Sequence, residues 1–158
     1  MDHPDHALDA IDRRILEVMQ LQGRITFDEL AAQVQLSASA VLRRVRRLEE
    51  AGVITGYAAI VPPERLGLGL TALVDVRLAP PGEGCGPAER FRAAAQDWPE
   101  VVECLRLGDG MDFQLRVTVR DVADYGRFLD ECLLSRPEVR DCRSRIVLAQ
   151  VKSGRPAV

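Results

Sequence analysis

Residues 36–52 read Leu36-Ser-Ala-Ser-Ala-Val-Leu-Arg-Arg-Val-Arg-Arg-Leu-Glu-Glu-Ala-Gly52, with four arginines within five consecutive positions. On a helix, which turns by about 100° per residue, three apolar residues share one narrow face: Val41, Val45 and Leu48. Most of the polar side chains fall on the opposite face: Ser39, Arg43, Arg46 and Arg47. Arg44 lies on the flank, nearer the apolar face. The segment is therefore predicted to be an amphipathic helix with a basic outer surface.

A basic run of this kind has two interpretations. It more often marks a solvated helix face than a nucleic-acid contact, because most basic clusters lie on ordinary protein surface. Glu49 and Glu50 could also pair with Arg46 and Arg47 across one helical turn. Pairs in which the acid follows the base are the weaker kind, however, so they would leave the arginines partly available. The surrounding sequence has to distinguish the two interpretations.

The composition is that of a folded protein without an overall attraction for nucleic acid. The chain has 158 residues, of which 47% are hydrophobic, enough for one medium domain or two small ones. Its formal net charge is −3, so any binding of DNA phosphate must come from a local basic patch. No apolar run approaches the roughly 18 residues of a membrane span, and the N-terminus does not resemble a signal peptide. We expect a cytoplasmic protein that does not bind a membrane.

The cysteines and histidines do not form a metal-binding pattern. Four cysteines are far apart and include no Cys-x-x-Cys pair: Cys85, Cys104, Cys132 and Cys142. The only histidines, His3 and His6, both lie close to the N-terminus. We therefore predict no metal site and no cofactor. We also expect buried, unreactive thiols rather than a redox sensor at Cys104 and Cys142.

The residues before the arginine helix carry the signals of two further helices. Asp9 is a plausible N-cap for a helix over about 8–22. Thr26-Phe-Asp-Glu29 is a capping box that opens a second helix. After a short turn, Ser37 caps the arginine helix, which ends at Gly52. Two short helices joined by a tight turn, the second of them basic and a third helix behind them, are typical of a helix-turn-helix.

Beyond this unit the periodicity changes from helix to strand. Residues Val53 to Val61 are predicted to be a β segment that forms a small wing, and 62–69 is a Pro/Gly-rich linker. Strands and helices then follow in this order: a strand from Leu70, a loop over Pro80 to Gly86, a helix from Pro87 to Asp97, strands over Val101 to Leu107 and Phe113 to Val119, a helix capped by Asp121, and a strand over Val139 to Val151. This β-α-β-β-α-β order is that of the ferredoxin-like split unit.

The predicted fold class is therefore α+β with two domains. Residues 1–61 form an N-terminal winged helix-turn-helix domain, whose first seven residues are a loose polar tail. Residues 70–158 form a C-terminal ferredoxin-like β-α-β-β-α-β sandwich, reached through the linker at 62–69.

Short segments of the N-terminal part carry a family resemblance in their order and spacing: Leu8-Asp-Ala-Ile-Asp-Arg13, Ile15-Leu16, Gly23-Arg-Ile25, Leu36-Ser37, Arg44-Val-Arg-Arg-Leu-Glu49, Gly52-Val-Ile54 and Gly56-Tyr57. Each is weakly informative by itself, but together they are highly specific. Over almost its whole length the chain resembles the Lrp/AsnC (leucine-responsive, or feast/famine) family of bacterial and archaeal transcription regulators.

This resemblance implies a set of partners. It implies that the chain binds double-stranded DNA through the winged helix and senses a small molecule, usually an amino acid, through the second domain. It further implies a homodimer formed through the sheet and assembly up to octamers. The effector pocket of relatives is built around the turn between the second and third strands of the sensor, at a contact between subunits, and usually carries a Gly-x-x-Asp pattern.

In this chain that turn reads Leu107-Gly-Asp-Gly-Met-Asp-Phe113 and departs from the family pattern. Aligning Asp112 with the acidic position places Asp109 where the glycine usually stands. A flanking glycine could preserve the turn, because Gly108 and Gly110 can both adopt a positive φ. The alternatives are a changed ligand or none.

The turn also has a physical interpretation as an amino-acid site. Its exposed backbone N–H groups can hold a carboxylate, and a side-chain carboxylate can hold an ammonium group. The alternative is a plain β-hairpin turn, for which Asp-Gly is a strong signal. The resemblance favours binding, and the expected effector residues are Gly108, Asp109, Gly110, Met111 and Asp112, with Ser144 on the last strand.

The arginine helix and its cap supply the predicted DNA contacts: Ser37, Ser39, Arg43, Arg44, Arg46 and Arg47. Ser39 and Arg43, near the start of the helix, are best placed for base edges, and Arg46 and Arg47 are expected to hold phosphates. Ser37 is expected to contact phosphate as well as cap the helix. Arg44 could touch the DNA backbone or pair with an acid from a neighbouring helix. A dimer would place two such helices in major grooves about 10 bp apart, or a multiple of that.

Two other functions compete with this hypothesis. One is an architectural DNA-binding protein without effector control. The other is an enzyme, because proteins similar in both domains include tetrapyrrole decarboxylases that act on sirohaem. The chain has no histidine outside its first residues and no evident nucleophile and base pair, so we expect that it is not an enzyme.

Overall fold

The computed structural model describes residues 8–80, 86–108 and 110–152. The predicted tail at 1–7, most of the predicted loop at 80–86, and two single residues of interest, Cys85 and Asp109, lie outside this part of the chain. The chain divides into two compact units between Ile60 and Val61, and each unit has its own hydrophobic core.

Three helices form the first unit: α1 (Ala10–Leu21), α2 (Phe27–Val34) and α3 (Ala38–Glu50). The predicted N-caps are confirmed. The Asp9 carboxylate accepts from the Asp12 N–H at 2.7 Å, and Ser37 Oγ accepts from the Ala40 N–H at 3.3 Å. Thr26 and Glu29 bond each other's backbone N–H as a reciprocal capping box. These caps satisfy helix N–H groups that have no partner within the helix.

The apolar stripes of the three helices meet in one core. Val41, Val45 and Leu48, the predicted inner face of α3, are at most 2% exposed. Four residues of α1 and α2 complete the core: Ile15, Val18, Leu30 and Ala31. Because the inner face of α3 is committed to this core, its opposite face points to solvent.

The β segment predicted over Val53 to Val61 is not formed. After α3 the left-handed Gly52 turns the chain back, and the N–H groups of Val53 and Ile54 donate to the Leu48 carbonyl at 2.9 and 3.1 Å. No strand of the described residues pairs with this segment, and a strand needs a ladder partner for its backbone groups. Its sequence is typical of a strand, but the partner is missing.

The second unit contains four strands and two helices in the predicted order: β1 (Leu70–Leu78), α4 (Pro87–Gln96), β2 (Val101–Arg106), β3 (Phe113–Val119), α5 (Val122–Arg127, followed by a π-helical turn over Phe128–Leu133) and β4 (Val139–Ile146). The sheet order is β2-β3-β1-β4 with all neighbours antiparallel. The predicted ferredoxin-like order is therefore confirmed. The predicted linker also holds a short 3-10 turn over Pro63–Leu66.

The last strand is shorter than predicted, ending at Ile146 instead of Val151. Ile146 pairs with Ala72, close to the start of β1, and the Val147 N–H makes one more bond to the Thr71 carbonyl. Past this point only one residue of β1 remains, Leu70. The apolar residues that suggested a longer strand, Leu148 and Val151, are at least 96% exposed.

One face of the sheet packs on the two helices of this unit. Phe91 on α4 packs edge to face against Trp98 and at a tilt against Phe113, with ring centroids 5.7 and 4.9 Å apart. The opposite face is polar, and Asp75 at its centre accepts hydrogen bonds from Gln114 on β3 and Arg145 on β4. The predicted effector turn joins the end of β2 to the start of β3, so it lies at an end of this sheet.

Candidate DNA interface and effector turn

The solvent face of α3 presents the hydroxyl and arginine side chains predicted to contact DNA. Ser37 and Ser39 are exposed at the start of the helix, with their Oγ atoms 3.2 Å apart. Arg43 and Arg46 are exposed as well, and neither has an ion-pair partner among the described residues. These four side chains occupy the face that the hydrophobic core leaves open, so they are accessible to a duplex.

The other two arginines are held by acids of α1. Arg44 Nη1 lies 2.6 Å from Asp9 Oδ2 and 2.8 Å from Asp12 Oδ1. Arg47 Nη2 donates to Asp12 Oδ2 at 2.5 Å. Hydrogen bonds to Asp9 and then Asp12 raise the pKa of Arg44, while the Asp12 N–H and then Arg44 lower the pKa of Asp9. The four arginines therefore divide into two unpaired and two paired residues.

This division bears on the expectations for Arg44 and Arg47. Arg44 pairs with acids of a neighbouring helix, which was one of its two predicted roles. Arg47 is predicted on the face opposite the apolar residues of α3, and its guanidinium bonds the buried Asp12. The reason is the helical repeat, because residues three apart lie on the same side, and this side of α3 is turned toward α1. The Arg47 side chain is still 49% exposed.

The alternative in which Glu49 and Glu50 pair with Arg46 and Arg47 is not formed among the described residues. Glu49 Oε1 instead accepts from the Tyr57 hydroxyl at 2.8 Å, a bond that ties the segment after the helix to the end of α3. Partial burial, followed by the bond to Glu49, raises the pKa of Tyr57 to about 12. Nothing in the sequence singled out Tyr57 beyond its place in a family-like segment.

The raised pKa of Tyr57 predicts a measurable pH dependence. The contribution of the Tyr57 and Glu49 contact to stability is complete below the ordinary tyrosine pKa of about 10. It is lost as the pH rises through about 12, because ionisation then places two negative charges side by side. Near-ultraviolet phenolate absorbance checks this, with Tyr57→Phe as the control that leaves only Tyr125. A wild-type minus control difference with a midpoint near 10 would contradict the prediction.

The predicted effector turn is fastened to the end of β1. The Asp112 Oδ2 atom accepts from the Leu78 N–H at 2.7 Å, and the Asp112 N–H donates to the Val76 carbonyl at 2.9 Å. Gly110 has a φ of 92°, so it is a glycine that supplies the left-handed residue next to the displaced position. The Arg77 Nε donates to the Gly110 carbonyl at 3.2 Å. At least one oxygen of Asp112 thus has a structural role.

The remaining predicted effector residues do not all lie in this turn. Gly108 is exposed and Met111 is half-buried in the same turn, while Asp109 lies outside the described residues. Ser144 lies opposite Val74 in the sheet register, and its Oγ accepts from the Tyr125 hydroxyl at 2.6 Å. Its hydroxyl therefore bonds a residue of α5.

The three cysteines in the described part of the chain show no sign of activation. Partial desolvation raises the pKa of the Cys104, Cys132 and Cys142 thiols. Cys104 is exposed on β2, where a buried thiol was expected, because β2 is an edge strand with little cover. Within the described residues no cluster of three or more potential metal ligands occurs. None of the helices described is at once long and apolar enough to cross a membrane.

Comparison with known protein families matches both units. Residues 8–55 match a family model described as winged helix-turn-helix DNA-binding, and residues 71–157 match one described as Lrp/AsnC ligand binding domain. A proline dehydrogenase transcriptional activator of Rhodobacter capsulatus is 40% identical over 91% of this chain and 92% of that protein. The leucine-responsive regulatory protein of Escherichia coli K12 is 39% identical over 94% of this chain and 90% of that protein.

Solved structures agree with these matches. A transcriptional regulator of Neisseria meningitidis in complex with L-methionine superimposes with a TM-score of 0.87 at 37% identity, over 93% of this chain and 94% of that one. A feast or famine regulatory protein of Mycobacterium tuberculosis, also complexed with L-methionine, gives a TM-score of 0.85 at 34% identity, over 96% and 99%. These relatives share both units with the present chain.

Proposed function

The chain belongs to the Lrp/AsnC family of transcriptional regulators, and from this premise we propose how its two units bind DNA and an amino acid. The observation that carries the proposal is the solvent face of α3, where Arg43 and Arg46 are exposed and unpaired among the described residues. In the helix-turn-helix formed by α2 and α3, α3 is the second helix. The second helix of such a motif enters the major groove with its N-terminal residues at the base edges.

The positions of the side chains along α3 support separate roles. Ser39 and Arg43 lie in the first half of the helix, so they are the proposed base contacts, with Arg43 suited to guanine O6 and N7. Arg46 lies one turn further on and is the proposed phosphate contact, together with the Ser37 hydroxyl at the helix start. Arg44, paired with two acids of α1, is not proposed to contact DNA.

The chain is proposed to act as a homo-oligomer of at least two copies. Regulators with a helix-turn-helix bind half-sites about one DNA turn apart, which a symmetric pair of chains matches. The family model over residues 71–157 describes a ligand-binding domain, and the second unit is therefore the proposed sensor. A regulator that binds the chromosome works in the compartment that holds it, which supports the cytoplasmic location expected from the sequence.

The proposed effector is an amino acid, bound at the turn around Gly110 and Asp112. Two structural relatives are described as complexes with L-methionine, which makes methionine the first candidate. The bond of Asp112 to the Leu78 N–H fixes the turn in place before any ligand arrives. Such prior fixation lowers the entropy lost when a ligand binds.

Methionine, or another amino acid, is expected to raise the melting temperature of the chain. A ligand that binds only the folded state stabilises by about 2.7 kcal/mol when its concentration is a hundred times Kd. Differential scanning fluorimetry against each proteinogenic amino acid tests this, with Asp112→Asn as the matched variant, since it keeps the shape of the side chain. No shift with any amino acid would favour the architectural alternative, a DNA-binding protein without effector control.

The DNA-binding part is tested by selection of duplexes from a random library with the wild-type chain. We expect an enriched sequence with two related half-sites. A control protein with both Arg43→Ala and Arg46→Ala should enrich nothing. If the wild-type chain enriches no sequence either, the proposed regulator function is wrong.

A further inference from the structure

The most unusual charged group of the first unit is the carboxylate of Asp12. The residue is 0% exposed, and it lies in the first turn of α1 beneath α3. Removing a carboxylate from water is costly unless partners replace its hydration. Here the partners are two guanidinium groups, one on each oxygen: Arg44 at 2.8 Å on Oδ1 and Arg47 at 2.5 Å on Oδ2.

Helix capping does not account for this burial. The N-cap of α1 is Asp9, whose carboxylate accepts the Asp12 N–H at 2.7 Å, whereas the return bond from the Asp9 N–H to Asp12 is 3.4 Å long. Stability alone is also a weak reason, because apolar residues of similar volume often replace buried ion pairs without loss. What an apolar residue could not do is hold the two arginines.

The two oxygens of Asp12 fix α3 at two points. Arg44 and Arg47 are three residues apart, so their anchors resist both rotation of α3 about its axis and sliding along α1. Arg43 and Arg46 each precede one of the anchored residues, and on a helix adjacent residues differ by about 100° in direction. The direction in which Arg43 and Arg46 point therefore depends on these two anchors as well as on the core packing of α3.

The bond to Asp12 also orients the Arg47 side chain itself. Its side chain is 49% exposed and a single nitrogen, Nη2, bonds Asp12. A guanidinium carries five N–H donors in a rigid plane, so one bond to a buried carboxylate orients the others. A phosphate contact of fixed direction sets the register of α3 on the duplex, on which the base contacts depend.

We propose that Asp12 is a positioning residue for DNA recognition, which acts through Arg44 and Arg47 and sets the base specificity of α3 without touching DNA. The inference rests on the proposed DNA-binding function. The proposed effect of Asp12 on affinity for a specific duplex is favourable. A simple charge effect would have the opposite sign, because a negative charge near a DNA-binding surface opposes binding to any duplex.

The test compares Asp12→Asn with the wild-type chain on two duplexes, one selected from a random library by the wild-type protein and one of scrambled sequence. Asparagine keeps the shape of aspartate and removes its charge. Affinity for the scrambled duplex should stay equal or rise, while affinity for the selected duplex should fall about tenfold. The ratio of the two affinities should therefore drop by at least that factor.

Asp28→Asn is the matched control, because Asp28 is an exposed aspartate in the first turn of α2 and the same charge is removed. It should change both affinities by the same factor. If part of the Asp12→Asn protein were unfolded, its affinity for both duplexes would also fall by one common factor. Circular dichroism at the binding temperature measures the folded fraction. Equal factors on both duplexes for folded Asp12→Asn would overturn the inference.

Arg44→Lys tests the same inference if Asp12→Asn does not fold. Lysine keeps the positive charge, but its side chain is one bond shorter than the path to Arg44 Nη1, the atom that bonds both Asp9 and Asp12. The ratio of affinities should again fall about tenfold, and an unchanged ratio would overturn the inference. A wild-type chain that binds both duplexes equally would instead refute the proposed function itself, so the two failures are distinguishable.

Discussion

Ile15→Ala is expected to abolish DNA binding by unfolding the first unit while the second unit stays folded. Ile15 is 0% exposed at the centre of the three-helix core. Truncating a buried isoleucine to alanine costs about 2–5 kcal/mol, from lost burial and the cavity that remains. A core of about 60 residues rarely supplies more than about 3–5 kcal/mol, so the loss is comparable to the whole stability of the unit.

Two signals separate the units in this experiment. Trp98, the single tryptophan, packs between Phe91 and Phe128 in the second unit, so its fluorescence reports on that unit alone. We expect an unchanged fluorescence melting curve, a loss of far-ultraviolet circular dichroism and no DNA binding. Leu21→Ala is the matched control, because Leu21 is on the same helix but 63% exposed. A folded, DNA-binding Ile15→Ala chain would contradict the prediction.

Arg43→Ala is expected to weaken binding to the selected duplex by about 1–3 kcal/mol and to relax its sequence preference. The physical reason is that a guanidinium donating to a guanine edge distinguishes that base from the others. Arg46→Ala, one turn along α3, should instead weaken binding on all duplexes alike. It should also lower the salt slope by about one unit, since one phosphate contact is lost.

Fluorescence anisotropy on the selected and scrambled duplexes, over a range of salt concentrations, measures both effects. Arg140→Ala is the control, because it removes an exposed arginine on β4, outside the helix-turn-helix unit. Equal losses on the two duplexes for Arg43→Ala would refute its role in base contact. Unequal losses for Arg46→Ala would move that residue from phosphate contact to base contact.

Local patterns predicted the elements of this protein well. The caps at Asp9, Thr26 and Ser37 are confirmed because a cap depends on side chains within three residues of the helix start. The alternation in Phe113–Val119 predicted a strand for a similarly local reason. Successive side chains of a strand point to opposite faces of the sheet, so the pattern depends only on neighbouring residues.

Features that depend on distant partners were predicted less well. The segment from Val53 to Val61 and the end of β4 both have strand-like sequences, but a strand exists only where a neighbouring backbone offers hydrogen bonds. The ion pairs of Arg44 and Arg47 form with acids 32 to 35 positions earlier in the chain. A missed clue lay in Asp12 itself, an acidic residue on the same side of α1 as the apolar Ile15.

Short-range sequence features were thus enough to establish the helices, their caps, the order of the strands and the presence of a basic helix. Only the tertiary structure decided which arginines are paired, leaving Arg43 and Arg46 unpaired among the described residues and binding Arg44 and Arg47 to α1. The physical reason is that capping and periodicity act within a few residues, whereas an ion pair forms only when tertiary packing brings α1 against α3.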